Sequence, residues 1–205
     1  YIFGTSSYSG GSYTRQYYSY DYLNSYNEYV TAESSYSTYY IPSTLKKVNV
    51  TNSKYIFSGA FSFYNSSSYS PLSITEITLN EGITHIGSYA FSCINDNTGL
   101  KLVSNLETIN LPSTLSWISK YSFYNCGKLD SIEIPDSVTR IENYAFYNCS
   151  SLITTIGSGV TSIGDYAFYG CAALPEINIS NKVTSIGSNA FNGCSNIQKI
   201  TIEEG

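Results

Sequence analysis

Residues Leu129 to Ser151 read LDSIEIPDSVTRIENYAFYNCSS, and this stretch sets the frame for the chain. Its apolar positions are Leu129, Ile132, Ile134, Val138, Ile141, Ala145, Phe146 and Cys149. Ile132 and Ile134 alternate with polar residues, the period of a strand with one buried face. Val138 and Ile141 suit a second short extended segment. The Tyr144-Ala145-Phe146 stretch is too short for a full helix and predicts a helical turn. One such unit cannot bury its own apolar edge. Copies stacked about 4.8 Å apart through strand pairing join their edges into a shared core.

Working outward, the preceding unit from Leu106 reads LETINLPSTLSWISKYSFYNCGK. The next two read LITTIGSGVTSIGDYAFYGCAA from Leu152 and LPEINISNKVTSIGSNAFNGCSN from Leu174. Phe61, Phe91, Phe123, Phe146, Phe168 and Phe191 are 30, 32, 23, 22 and 23 residues apart, a period that means a solenoid. The two long units carry insertions after Phe61 (FYNSSSYSP) and Phe91 (CINDNTGLKLVSN), which should leave the same edge of the stack. The unit at Leu152 is one residue short, in its first strand. The final IQKITIEEG repeats the opening ITEITLNEG of the unit at Ile74 and then stops, so more chain or a partner is expected to cover that end.

The composition narrows the function. Of 205 residues only 12% are charged, with a formal net charge of -5, a surface that repels phosphate backbones and anionic lipid. Hydrophobic residues make up 42%, enough for a core, yet no run of about 18 apolar residues exists to cross a bilayer. A single His leaves little for acid–base catalysis, and with no Met the stretch is expected to be an internal or processed piece of something longer.

The unit LxxIxIPxSVTxIGxYAFxxC resembles the BspA-type leucine-rich repeat of bacterial surface proteins. The match covers about Leu45 to Gly205, and its specific part is the Ala-Phe-x-x-Cys tail. The resemblance implies a right-handed leucine-rich repeat solenoid, mainly β with short helical turns and a parallel sheet of short strands. It would hold about six repeats plus a truncated one over 45–205. It also implies a secreted or cell-surface protein that binds host or neighbouring-cell ligands, and it brings no catalytic residues. The departures are Ser122 where Ala is usual, Asn189 where Tyr is usual, and Tyr64 in place of the first Cys.

Residues 1–44 stand outside the frame, and the first 40 hold 12 of the 22 Tyr with four charges. They read as an insert or loop that caps the open end of the stack. Tyr with Ser, Gly and Asn is also the palette of antibody paratopes, which makes Tyr17, Tyr18, Tyr20, Tyr22, Tyr26 and Tyr29 candidate ligand contacts.

Repetition turns single positions into rows. One row is His85, Trp117, Arg140, Ser162 and Ser185, in which Trp117 and Arg140 fall on adjacent rungs within reach of a cation–π contact. Tyr89, Tyr121, Tyr144 and Tyr166 form a second row, and Tyr124, Tyr147 and Tyr169 a third; both are expected to be aromatic ladders. The first-strand face offers Glu76, Glu133 and Glu176 among Lys, Asn, Ser and Thr. Cys93, Cys126, Cys149, Cys171 and Cys194 make an inward row, expected to be buried thiols rather than disulfides or a zinc site.

No phosphate loop, paired-His metal motif or nucleophile elbow occurs. Asn95, Asp96 and Asn97 form an ordinary turn rather than a calcium loop, and neither a cofactor nor a metal is expected. The reading is therefore a non-enzymatic extracellular binding or adhesion module. Its expected partner is an extracellular or host protein, or a glycan, with Trp117, Arg140, Glu76, Glu133, Glu176 and the Tyr-rich segment as contacts. Nucleic acid and membrane insertion are excluded, and attachment would run through flanking domains of the same longer chain. The alternative is a spacer domain of a larger surface protein.

Overall fold

The computed structural model describes residues 11–23, 29–42, 44–64, 72–94 and 104–204, with the backbone alone at 11–40, 63, 64 and 94. Tyr26, both insertions after Phe61 and Phe91 in their central parts, and the Asn95 turn lie outside the described residues.

Each repeat lays down one rung with two short strands. The first strands, Lys47–Val50, Glu76–Leu79, Thr108–Ile109, Ser131–Glu133 and Ile153–Thr155, pair in chain order as one parallel sheet. The second strands, Tyr55–Ile56, His85–Ile86, Trp117–Ile118, Arg140–Ile141, Ser162–Ile163 and Ser185–Ile186, form an unbroken parallel sheet of six. Alternation sets which side chains go inward. Ile177 and Ile179 are buried while Glu176 and Asn178 between them are exposed. The Thr of each Val-Thr-x-Ile run ties rungs together, with Thr139, Thr161 and Thr184 donating Oγ1–H to the carbonyl of the residue one rung earlier at 3.0–3.2 Å.

The Tyr-Ala-Phe stretch does not form the expected helical turn. It is a chain of hydrogen-bonded turns, because Tyr89, Tyr121, Tyr144 and Tyr166 take φ of 55–59°. A left-handed residue cannot continue a right-handed helix, and for an aromatic side chain it costs on the order of 1 kcal/mol or more. Two interactions offset that strain. Each Tyr ring stacks on the next, and the backbone bonds outward instead of along a helix. The N–H groups of Phe61, Phe91, Phe123, Phe146 and Phe168 donate to a carbonyl on the following rung at 2.7–2.8 Å. The turn thus acts as a third inter-rung ladder. A second left-handed position follows, filled by Asn125, Asn148, Gly170 and Gly193, the residue types that adopt it most cheaply.

The interior is a column. Phe61, Phe91, Phe123, Phe146, Phe168 and Phe191 stack successively with centroids 5.0–5.7 Å apart. Phe123, Phe146 and Phe168 are fully buried. Burial of each such ring contributes roughly 1.5–3 kcal/mol. All five cysteines are free and buried beside them. Cys126, Cys149, Cys171 and Cys194 each donate an S–H to the carbonyl of the Phe on the preceding rung, at 3.1–3.2 Å. Ser122, in the Ala position, is fully buried and its Oγ has no hydrogen-bond partner.

The short repeat is resolved by its register. Ser131 pairs with Ile153, Ile132 with Thr154 and Glu133 with Thr155, so the missing residue lies between Leu152 and Ile153. Thr154 consequently occupies the core slot of Ile132, while Ile153 lies on the outer face, 48% exposed. The first-strand sheet ends there. Glu176–Ile179 pairs only forward, with Lys199–Ile202.

Before the first rung, the Tyr-rich segment is a hairpin rather than a loop. Strand β1 (Gly11–Leu23) pairs antiparallel with β2 (Tyr29–Pro42), with a register shift between Tyr18 and Ser19. Its last turn is anchored, since Ile41 is fully buried within the solenoid core and β1 runs beside the strand Phe63–Tyr64.

Candidate ligand-binding faces

Three outer faces follow from the rungs. The first-strand sheet carries Lys47, Glu76, Thr108, Ser131 and Ile153 in one row, with Asn49, Thr78, Asn110 and Glu133 beside them, and Glu176 and Asn178 lie on the separate two-stranded sheet that follows. Glu133 and Glu176 are exposed. Glu76 is half-buried and its Oε2 lies 2.6 Å from Lys47 Nζ. Such an exposed pair contributes well under 1 kcal/mol, because water screens both partners. Glu76 and Glu133 thus share one sheet while Glu176 opens the next, and Ile153 is the apolar member that the sequence left unplaced.

The second-strand face begins as an aromatic row. His85 lies between Tyr55 and Trp117, with ring centroids at 5.7 and 5.9 Å, and its Nδ1 is 2.8 Å from Thr84 Oγ1. The Arg140 guanidinium sits 5.5 Å from the Trp117 ring centroid, the cation–π contact that adjacent rungs allow. Arg140 is exposed, but Trp117 is only 8% exposed. Packing from the Arg140 and His85 sides takes up its ring faces, so Trp117 supports Arg140 instead of offering a ring of its own.

The third face carries the tyrosine columns. Tyr89, Tyr121, Tyr144 and Tyr166 stack at 4.7–4.9 Å with interplanar angles of 3–7°. Tyr124, Tyr147 and Tyr169 stack at 4.8–4.9 Å, and the two columns touch through tilted pairs such as Tyr144 with Tyr147 at 5.6 Å. The ring faces are occupied by one another, which leaves edges and hydroxyls outward. Burial, then repulsion between neighbouring phenolates, pushes the Tyr121, Tyr124 and Tyr147 hydroxyls up in pKa. Tyr17, Tyr18, Tyr20 and Tyr22 lie on β1 and Tyr29 begins β2, but their side chains are outside the described set.

The thiol row has no nucleophilic character. Burial pushes Cys93 up to about 12 and Cys194 to about 11, and raises Cys126, Cys149 and Cys171 as well. A thiolate is the nucleophile and metal ligand, and these side chains stay protonated. Among the described residues no group of three or more His, Cys, Asp or Glu could hold a metal ion.

These rungs and faces define a leucine-rich repeat solenoid. The BspA type leucine rich repeat region matches the chain in overlapping segments, 41–110, 59–154 and 100–205, and the chain belongs to that family. Repeats of this family are typically non-enzymatic scaffolds for protein binding or adhesion in bacterial surface proteins. Among solved structures the chain is similar to a leucine-rich repeat protein of T. pallidum, with 23% identity, a TM-score of 0.47 and 72% of each chain covered. It is also similar to a leucine-rich cell surface protein of Faecalibacterium prausnitzii, with 20% identity, a TM-score of 0.41, and 80% of this chain and 61% of that one covered. A leucine-rich repeat protein of Bacteroides ovatus matches at 21% identity and a TM-score of 0.41, over 80% of this chain and 54% of its own length. The chain thus spans less than two thirds of the latter two. No curated protein matches it.

Proposed function

We propose that this chain is the recognition part of an extracellular adhesion protein, held at the cell surface through a region outside this stretch, and that its first-strand face engages a partner protein. The observation that carries this reading is the row of exposed polar side chains on that face. Parallel pairing spends the backbone groups within the sheet, so the face offers side chains alone, rows of Glu, Lys, Asn, Ser and Thr interrupted by the exposed Ile153. A mainly polar surface several rungs long suits a protein interface of standard size, and exposed charges there set orientation and on-rate. The hairpin of β1 and β2 is assigned to an insert over 1–44 that covers the first rung, supported by Ile41 in the core. Tyr17, Tyr18, Tyr20, Tyr22, Tyr26 and Tyr29 on that insert extend the contact surface.

Beads coated with the chain and allowed to settle on host or neighbouring cells test this reading. The Glu133→Lys/Glu176→Lys variant should bind about tenfold more weakly, and deletion of 1–40 should weaken binding further. Equal adhesion by all three proteins, at the level of uncoated beads, would leave a spacer domain as the function.

A further inference from the structure

The second-strand face changes character halfway along. From Tyr55 to Trp117 it is aromatic, but beyond Arg140 the row continues as Ser162 and Ser185, each followed two residues later by a glycine, Gly164 and Gly187. Large side chains on one half and almost none on the other leave a groove of about 450 Å³, bordered by Arg140 and Glu142 and running past Ser162 and Ser185. That volume is within the range of small-ligand sites. The glycines mark where successive rungs approach most closely. A Cβ on Gly164 would overlap the backbone nitrogen of Asn143, and one on Gly187 the backbone of Gly164 and Asp165.

The rim is built from polar side chains that are already held in place. Glu142 accepts the Lys120 N–H at 3.0 Å, Asn143 Oδ1 accepts the Asp165 N–H at 2.9 Å, and Asp165 Oδ1 accepts the Ser188 N–H at 2.6 Å. The Asn143 amide NH₂ and Asp165 Oδ2 remain available as donor and acceptor. Lys120 and Arg140 line the same groove, and neither belongs to the ion pair found among the described residues. The lining thus balances two cations against two carboxylates, interleaved with hydroxyls.

The ligand chemistry follows from that balance. A polyanion would face Glu142 and Asp165, and an apolar ligand would strip water from seven polar side chains without replacing their hydrogen bonds. A neutral sugar meets both conditions, with vicinal hydroxyls between paired donors and acceptors. Rungs about 4.8 Å apart advance by close to one pyranose unit, so successive rungs meet successive rings. The geometry points to a subsite for a neutral, extended oligosaccharide of two or three rings, lying along the solenoid axis over Ser162 and Ser185. This site is on the second-strand sheet and is independent of the protein-binding role of the first-strand face.

Trp117 is the single tryptophan and lies under Arg140, so its emission reports groove occupancy. The whole chain is titrated with cellotriose, maltotriose and chitotriose, and with trigalacturonate as the acidic counterpart, by tryptophan fluorescence and calorimetry. At least one neutral trisaccharide should bind saturably with a Kd of about 1 mM or tighter, unchanged between about 0.05 and 0.5 M salt. Ser185→Tyr, which fills the groove from an exposed position, should weaken binding more than about tenfold, and Arg140→Ala at least about fivefold. No saturable neutral ligand, equal affinity in both variants, or preferred salt-sensitive binding of trigalacturonate would each overturn the proposal. Loss of cell adhesion in the first-strand variant with sugar binding intact would leave it standing.

Discussion

The phenylalanine column inside and the tyrosine columns outside are products of the same repeat. Phe146 and Tyr144 are two residues apart, and each is stacked on both sides by its counterparts on neighbouring rungs at about 5 Å. They differ in surroundings. Phe146 is fully buried against thiols and aliphatic side chains, whereas Tyr144 keeps one edge in water. Repetition alone makes rows of stacked rings, and burial decides which row holds the solenoid together.

Alkaline pH should break the comparison most strongly. An unfolded thiol titrates near 8.5 and an unfolded phenol near 10. The folded state raises all five thiols, and Tyr121, Tyr124 and Tyr147 among the phenols. Groups with raised folded pKa values contribute stability that is complete below the unfolded values and falls as pH rises above them, because the unfolded chain releases protons that the folded chain keeps. Urea unfolding midpoints should therefore drop from about pH 9, where the inner column begins to act, and more steeply above about pH 10 as the outer columns join. Cys149→Ala should make that decline shallower, because one fewer thiol releases a proton on unfolding.

Phe146→Ala comes next. It removes a fully buried ring and two stacking contacts, and should cost about 3–5 kcal/mol in urea melts. Tyr144→Ala should cost only about 1–2 kcal/mol, part of its lost stacking being offset by relief at the left-handed position. The smallest effect has the opposite sign. Ser122→Ala removes a buried hydroxyl without a partner and restores the residue found at Ala90 and Ala145, so it should stabilise by about 1 kcal/mol.

The rows were legible because they depend on spacing alone. The Phe and Cys positions, the two Tyr columns and the adjacency of Trp117 and Arg140 follow from counting residues between repeats. The failures lie where backbone geometry or local volume decides. Tyr-Ala-Phe looks like the start of a helix, and nothing in a tyrosine side chain announces φ near +59°; the Asn/Gly alternation at 125, 148, 170 and 193 was the available signal for a left-handed turn nearby. The one-residue deletion was visible, but not that Thr154 would take the core slot of Ile132. Trp117 was placed on the correct rung and face, while its burial depends on neighbours' volumes that spacing does not encode. The groove was missed for the same reason, although Ser-x-Gly recurring at 162–164 and 185–187 marks it.

Hydrogen–deuterium exchange at single-residue resolution tests the inner column most directly. The backbone amides of Phe91, Phe123, Phe146 and Phe168 bond to the next rung through the turn ladder, and they should be among the slowest in the chain, opening only with global unfolding. Phe146→Ala should speed all four together, whereas Tyr144→Ala should leave their order unchanged. Rapid exchange at these amides while the Tyr columns remain protected would contradict the account, because the exterior would then be holding the stack.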